Sequence, residues 1–239
     1  MNTVTNLNLF ESKILGESTA IERLENIWRD YYIKSIGENC YSALIQRELK
    51  TNAIVFMSIN PSLRPKDIPC AQKGYKPTKD FNFFIDSNYE QNDIHYAKFY
   101  EIGRKLNSQH WTALDLLYIR NSNQTEVEEI TKTELGENFI VEQMRLTFDI
   151  LFVINPKIVI VSNNGAVKLI NSFAKKIGLI LELPSVLNGF IYKINNIPFI
   201  TLESKYLGSQ RWCNRDKKEG NKRLNKLISE IERIKLIER

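Results

Sequence analysis

The chain has 239 residues, 43% hydrophobic and 26% charged, with a formal net charge of +5, so it is large enough to bury a sizeable core. No apolar run approaches the roughly 20 residues of a membrane span, and the first residues lack the basic and apolar parts of a secretory signal. Three scattered cysteines and two histidines argue against a disulfide scaffold, an iron–sulfur cluster and a histidine-rich zinc site.

The N-terminal part of the chain predicts two helices, a buried strand and a long loop. Thr19 and Glu22 have the spacing of a capping box, which starts a helix, and a second helix is predicted over 41–49. The continuous apolar run at 53–59 predicts a strand buried on both faces. Residues 61–92 lack periodicity, and loops of that length inside a compact domain tend to be functional.

The rest of the chain alternates between helices and strands. Helices are predicted at 94–106, 137–151, 166–176 and from about 217, and strands at 113–119, 158–162, 190–194 and 198–202, with a polar segment at 121–132. The alternation predicts one α/β domain over 1–239, with a mostly parallel central sheet flanked by helices. Its ends are a helical segment at 1–50 and a basic C-terminal helix at 210–239.

Polar residues follow four of the predicted strands, at 58–63, 115–120, 162–165 and 203–207. Ligands of open parallel sheets bind at the carboxyl ends of the strands, so we expect these four segments to converge on one site. From residue 205 onward the chain holds eleven Lys and Arg against five Asp and Glu. A second excess of Lys and Arg lies at 64–79. If the fold brings the two segments together, they form one positive surface suited to phosphates, although a solvated helix face accounts for part of the C-terminal excess.

Five segments resemble, in order and spacing, the motifs of the uracil-DNA glycosylase superfamily, closest to its mismatch-specific and single-strand-selective branch. The resemblance covers roughly residues 50–230. The matching segments are I-V-F-M-S-I-N-P-S at 54–62, C-A-Q-K-G-Y at 70–75, L-D-L-L-Y-I-R at 114–120, P-K-I-V-I-V-S-N-N-G-A at 156–166 and L-E-S-K-Y-L at 202–207. The resemblance implies a three-layer α/β fold and a site that removes a base flipped out of the nucleic acid.

By this resemblance, Asn60 positions or polarises the attacking water through its side-chain amide. The alternative is structural, because Asn60 and Pro61 form a pair that commonly ends a strand. Tyr75 and Phe83, in the long loop, are candidates for stacking on the flipped base. Asn163 lies at a strand-to-helix turn and is a further candidate for binding the base.

Two residues depart from the pattern of the family. Asp115 stands where relatives have an asparagine that reads the Watson–Crick edge, and an ionised Asp only accepts hydrogen bonds. It therefore favours a base with an exocyclic amino group, unless Asp115 merely caps a turn. Glu203 stands where relatives have a histidine that stabilises the leaving base. It argues against ordinary uracil excision and is compatible with a role as an acid or water-activating base on a different substrate, the alternative being a surface ion pair with Arg211 or Arg215.

The resulting hypothesis is a monomeric DNA-base glycosylase-like enzyme that hydrolyses the N-glycosidic bond of a damaged or modified base other than ordinary uracil. It would need no metal and no cofactor, and it would act in the cytoplasm. Contacts with the phosphates of DNA are predicted for Ser204, Lys205, Arg211 and Arg215. The alternative hypothesis is a catalytically silent module that binds modified bases or nucleotides in the same pocket.

Overall fold

The structure, a computed structural model, describes residues 5–9, 11–14, 16, 18–32, 43–46, 48–61, 82–83, 94–106, 110–121, 123–156, 158–182, 189–194, 197–203 and 217–237. In this part of the chain no helix is long and apolar enough to cross a membrane. The strands and helices follow in chain order. They are β1 (Asn6–Asn8), α1 (Ala20–Ile27), β2 (Ile45–Gln46), β3 (Glu48–Lys50), β4 (Ile54–Ser58), β5 (Asn82–Phe83), α2 (Ile94–Lys105), β6 (Trp111–Asp115), α3 (Gln124–Ile130), α4 (Glu134–Ile154), β7 (Ile158–Val161), α5 (Asn164–Phe173), β8 (Ile180–Glu182), β9 (Gly189–Ile194), β10 (Ile197–Glu203) and α6 (Lys217–Ile237).

The first helix begins as its sequence predicts. The main-chain N–H of Glu22 donates to the Thr19 hydroxyl, and the Glu22 carboxylate accepts from the main-chain N–H of Thr19 at 2.7 Å. This reciprocal pair satisfies two N–H groups that the helix itself leaves without partners. The capping box is therefore confirmed, and α1 continues into a π-helical turn over Trp28–Tyr32.

The prediction of a helix over 41–49 is wrong. Residues 45–46 and 48–50 form two short strands, of which β3 pairs antiparallel with β1 and β2 pairs parallel with β5. Ile45 and Leu49 are both buried. A four-residue spacing places two side chains on one face of a helix, and because it is even, it also suits one face of an extended chain. The apolar spacing alone could not distinguish the two.

Six strands form the central sheet, in the order β6–β4–β7–β10–β9–β8. The first four are mutually parallel, and β9 and β8 continue the sheet by antiparallel pairing. The prediction that the strands near 53–59, 113–119, 158–162 and 198–202 share one sheet, with their carboxyl ends at one edge, is confirmed.

Helices cover both faces of the parallel strands. Val55 and Val159 belong to a buried cluster that includes side chains of α1, α4 and α5. Their chain neighbours Phe56 and Ile160 point the other way, into a cluster with side chains of α2 and α6. Phe56 there stacks on Phe99 with ring centroids 4.4 Å apart. Alternate residues buried on opposite faces explain the continuous apolar runs, and the α/β class is confirmed.

The elements around β6 differ from the prediction. β6 spans Trp111–Asp115 rather than 113–119, and the polar segment at 121–132 contains the helix α3. α3 begins where the Asn123 side chain accepts from the N–H of Thr125. Val127 is its one buried residue, so the segment has no apolar period that would reveal a helix.

Candidate functional site

The strand order places a topological switch point at the carboxyl edge of the sheet, where open α/β sheets form a crevice. From β4 the chain passes through α2 to β6 on one side, and it then returns through α3 and α4 to β7 on the other side. α2, which follows β4, and α5, which follows β7, pack on opposite faces of the sheet. The segments after β4 and β7 therefore lead to opposite faces of the sheet, and such a point of divergence is where ligands of open α/β sheets bind.

Four of the predicted site residues lie along this edge. Asp115 ends β6, Asn60 follows β4 by two residues, Asn163 follows β7 by two residues, and Glu203 ends β10. The register aligns Asp115 with Ser58 of β4, and Glu203 with Val161 of β7. The structure thus brings these four residues to one edge, and their chemical roles remain predictions.

Asn60 is anchored by its side-chain nitrogen. Nδ2 lies 3.1 Å from the carbonyl oxygen of Pro61, 3.0 Å from that of Ile119 and 2.7 Å from that of Asn121. These contacts join the end of β4 to the segment that follows β6. The structural role considered for Asn60 is therefore real, and it also fixes the direction of the amide plane and of Oδ1.

The segment after β6 leaves the regular sheet and is held by side chains of α4. Gln143 is buried, and its Oε1 accepts from the main-chain N–H groups of Tyr118 and Ile119 at 2.9 and 3.1 Å. The hydroxyl of Thr147 donates to the carbonyl of Leu116 at 3.0 Å. These bonds satisfy main-chain groups that a longer strand would pair with a neighbour, which explains why β6 ends at Asp115.

Asp115 has a partly buried side chain, and its carboxylate forms no hydrogen bond or ion pair with any residue the structure describes. Its own carbonyl oxygen lies 3.4 Å from the Thr147 hydroxyl. Burial raises the pKa of Asp115 to about 7 because nothing compensates the desolvated charge. The structure therefore gives no support to a turn-capping role. A carboxyl whose pKa burial raises in this way, at the edge where open parallel sheets bind ligands, is a candidate functional group.

The opposite side of the crevice is formed by the start of α5. Asn163 is the N-cap of this helix, and its Oδ1 accepts from the N–H of Gly165 at 2.6 Å. A role in binding a base therefore falls to its Nδ2. A Cβ at Gly165 would lie 2.9 Å from Cδ1 of Ile59, so a larger residue there would require the end of the Ile59 side chain to move.

Two serines at this edge belong to the segments predicted to converge there, although neither was singled out as a site residue. Ser58 and Ser162 end β4 and follow β7, and their hydroxyl oxygens lie 3.4 Å apart across the base of the crevice. Ser162 also donates to the carbonyl of Met57 at 2.9 Å. Gln143 and Thr147 were missed as site residues. Their signal is a pair of polar residues four apart within the otherwise apolar face of α4.

The other predicted site residues lie away from the central sheet or outside the described part of the chain. Phe83 belongs to β5, which pairs with β2 and not with the central sheet. Tyr75, Ser204, Lys205, Arg211 and Arg215 lie outside the described residues, so their predicted contacts with base and phosphate stay predictions. The same holds for the ion pair considered between Glu203 and Arg211 or Arg215.

The described side chains at this edge carry amide, hydroxyl and carboxyl groups, which can form hydrogen bonds and, in the case of a carboxyl, exchange a proton. Within the described ranges, no group of three His, Cys, Asp or Glu side chains could hold a metal ion. No protein-family model and no curated protein sequence gives a significant match to the chain. The function is therefore inferred from the residues at the carboxyl edge.

Proposed function

We propose that the chain is a DNA-base glycosylase-like enzyme, which hydrolyses the N-glycosidic bond of a damaged or modified base at the carboxyl edge of its parallel sheet. The observation that carries the proposal is the partly buried carboxyl of Asp115, which has no partner among the described residues and lies at the same sheet edge as the anchored amide of Asn60. Enzymes of this class need a pocket that reads the edge of a base and groups that support departure of the base.

Asn60 is suited to holding a water molecule. Its nitrogen is engaged by three carbonyl oxygens, and Oδ1 has no hydrogen-bond partner among the described residues. An amide oxygen accepts a hydrogen bond from water and thereby orients a lone pair of that water toward the sugar carbon. An amide is a poor base, so the catalytic benefit is positioning, with the departing base carrying most of the developing charge.

Asp115 is suited to forming a hydrogen bond with the base itself. A carboxyl with a pKa near 7 exists in both protonation states at neutral pH, so it can donate or accept a hydrogen bond at the edge of the base. The neutral form stabilises negative charge on a departing base, whereas an ionised carboxylate at the same place would oppose it. Burial of the side chain supports this role because burial favours the neutral acid.

The test is a panel of oligonucleotides that contain uracil, hypoxanthine, xanthine or modified cytosines, each incubated with excess protein and then treated with alkali. We expect strand cleavage at one or more of these bases. Asn60→Ala should abolish the cleavage, and Asn225→Ala, at an exposed position of α6, should retain it. Cleavage of none of the substrates, or equal cleavage by Asn60→Ala, would refute the enzymatic proposal.

The alternative function, a catalytically silent module that binds bases or nucleotides, is favoured by one observation. Glu203 ends β10 at the position where the resembled family has a histidine, and a carboxylate there repels a departing anion unless it is protonated. The same panel separates the two functions, because the module would bind one of the oligonucleotides and leave no abasic site.

A further inference from the structure

The main chain of Asp115 takes part in the fold, whereas its carboxyl forms no hydrogen bond or ion pair with a described residue. Its backbone belongs to β6, in register with Ser58, and its carbonyl oxygen lies near the Thr147 hydroxyl. The carboxyl oxygens have no partner among the described residues. Ser58 and Thr147, the neighbours from β4 and α4, are uncharged.

The charged and titratable groups around Asp115 do not neutralise it. Tyr118 follows on the same segment, and burial raises its pKa, so it stays neutral through the physiological range. Beyond Tyr118, Arg23 of α1 and Asp149 of α4 form an ion pair at 2.7 Å and largely cancel each other. Arg120 lies further along the segment, and Glu203 is two strands away from β4 along the same edge.

The two protonation states of a carboxyl complement different partners. A neutral carboxyl offers one donor and one acceptor side by side, as a primary amide does, and an ionised carboxylate offers two acceptors. Hypoxanthine has a carbonyl beside an N–H, which matches the neutral acid. Guanine has that same pair and also an N–H beside an amino group, which matches the carboxylate.

We propose that Asp115 selects the nucleobase by its protonation state: the neutral acid binds edges with one donor and one acceptor, and the carboxylate binds edges with two adjacent donors. The inference rests on the proposed function, since it assumes that the edge of a base reaches Asp115. It replaces the sequence-based assumption of a permanently ionised Asp. The site then takes lactam-type bases at lower pH and amino-bearing bases at higher pH.

The test compares two short single-stranded oligonucleotides that differ only in one central base, hypoxanthine or guanine. A 2′-fluoro sugar at that position prevents excision, and binding is measured by fluorescence anisotropy at pH 6 and pH 8. Taking the ratio of the two dissociation constants removes the contribution of the shared phosphates. If hypoxanthine binds only the neutral acid, the hypoxanthine-to-guanine ratio of dissociation constants should rise at least about tenfold between these pH values.

Two variants make the result specific to Asp115. Asp115→Asn carries a fixed donor and acceptor, so its ratio should stay constant within about twofold. Glu128→Gln removes an exposed carboxylate of α3, and its ratio should change with pH as that of the parent does. A carboxyl-carbon NMR titration gives an independent reading. Hypoxanthine should raise the apparent pKa of Asp115 and guanine should lower it, because binding and protonation are linked.

The outcomes separate this inference from the proposed function. A pH-dependent ratio in a protein that excises no base supports the inference and refutes the enzymatic proposal. A constant ratio in a protein that does excise a base overturns the inference alone. A ratio that changes equally in Asp115→Asn also overturns it, because another group would then be titrating. Absence of binding to both oligonucleotides contradicts both.

Discussion

Asn60 and Asp115 both lie at the carboxyl edge of the sheet, and of the two side chains it is Asn60 that also stabilises the fold. The nitrogen of Asn60 holds the segment after β6 against the end of β4, so the amide that would position water also maintains the crevice. The carboxyl of Asp115 has no such structural function. The sequence indicated both positions, but the protonation of Asp115 could not be predicted, because it depends on burial by residues distant in the chain.

Replacing Asn60 should therefore cost stability as well as activity. Asn60→Ala leaves three carbonyl oxygens without their shared donor, and we expect a loss of roughly 1–3 kcal/mol in the free energy of unfolding. Urea denaturation measures the loss, with Asn225→Ala as the control that should stay within about 0.5 kcal/mol of the parent. An Asn60→Ala protein as stable as the parent would show that the three contacts carry no net energy.

Asp115 should make the folded protein less stable as the pH rises. Its pKa is about 7 in the folded state and about 3.9 in an unfolded chain. Between about pH 3.9 and pH 7 the folded protein therefore binds this proton more tightly than the unfolded chain does. Stability should fall across this range, by up to about 4 kcal/mol, and change no further above it. Asp115→Asn should remove this component, whereas Glu128→Gln should keep it. Denaturant unfolding between pH 4 and pH 8 provides the measurement, and equal slopes in parent and Asp115→Asn would contradict the assigned pKa.

At the scale of elements, the site depends on how strands end and helices begin. β6 stops at Asp115 because Gln143 and Thr147 of α4 take over the hydrogen bonds of the following segment. The apolar run at 113–119 continues past this point, so hydropathy alone places the end of the strand too late. The strand predicted at 158–162 has no such interruption, and β7 matches it to within one residue.

Gln143→Leu should disrupt the segment that carries Asp115. The variant leaves the buried N–H groups of Tyr118 and Ile119 without an acceptor, each at about 1–3 kcal/mol. We expect a clearly lower thermal midpoint and weaker base binding. The matched control is Glu142→Gln, at the preceding and only partly buried position of α4, which should keep a thermal midpoint close to that of the parent. A Gln143→Leu protein with parental stability would show that water replaces the side chain.

At the scale of the whole molecule, the sequence predicted the central sheet but not the short strands β1, β2 and β3, which form separate two-stranded sheets. Long apolar runs such as that at 54–58 must be buried on both faces, which requires a parallel sheet with helices on each side. β1, β2 and β3 have two or three residues each, too few for a periodic pattern. Their pairing is decided by distant segments, as when Asn6 of β1 pairs with Lys50 of β3.

Binding of DNA should weaken steeply as salt concentration increases. Combined substitution of Lys205, Arg211 and Arg215 by Gln should reduce affinity similarly for all sequences and lower the salt dependence, because phosphate contacts carry no sequence information. The control is a second triple variant, in which Gln replaces three exposed cations at the end of α2 and just after α5, namely Arg104, Lys105 and Lys175. It changes the net charge by the same amount and should have a much smaller effect on affinity. Equal effects of the two triple variants would assign binding to net charge alone.

The claim that these strand ends form a base pocket is tested most directly by single-turnover cleavage of a uracil oligonucleotide at pH 8, with the parent and the double variant Asp115→Asn, Glu203→His. At that pH Asp115 is mostly ionised and cannot donate to the uracil carbonyl. The amide introduced at position 115 would supply one matched hydrogen bond and the imidazole introduced at position 203 a second, each worth about 1–3 kcal/mol. We predict that the double variant gains roughly one to three orders of magnitude in uracil cleavage over the parent. A folded double variant that neither cleaves uracil nor binds it better than the parent would contradict the claim.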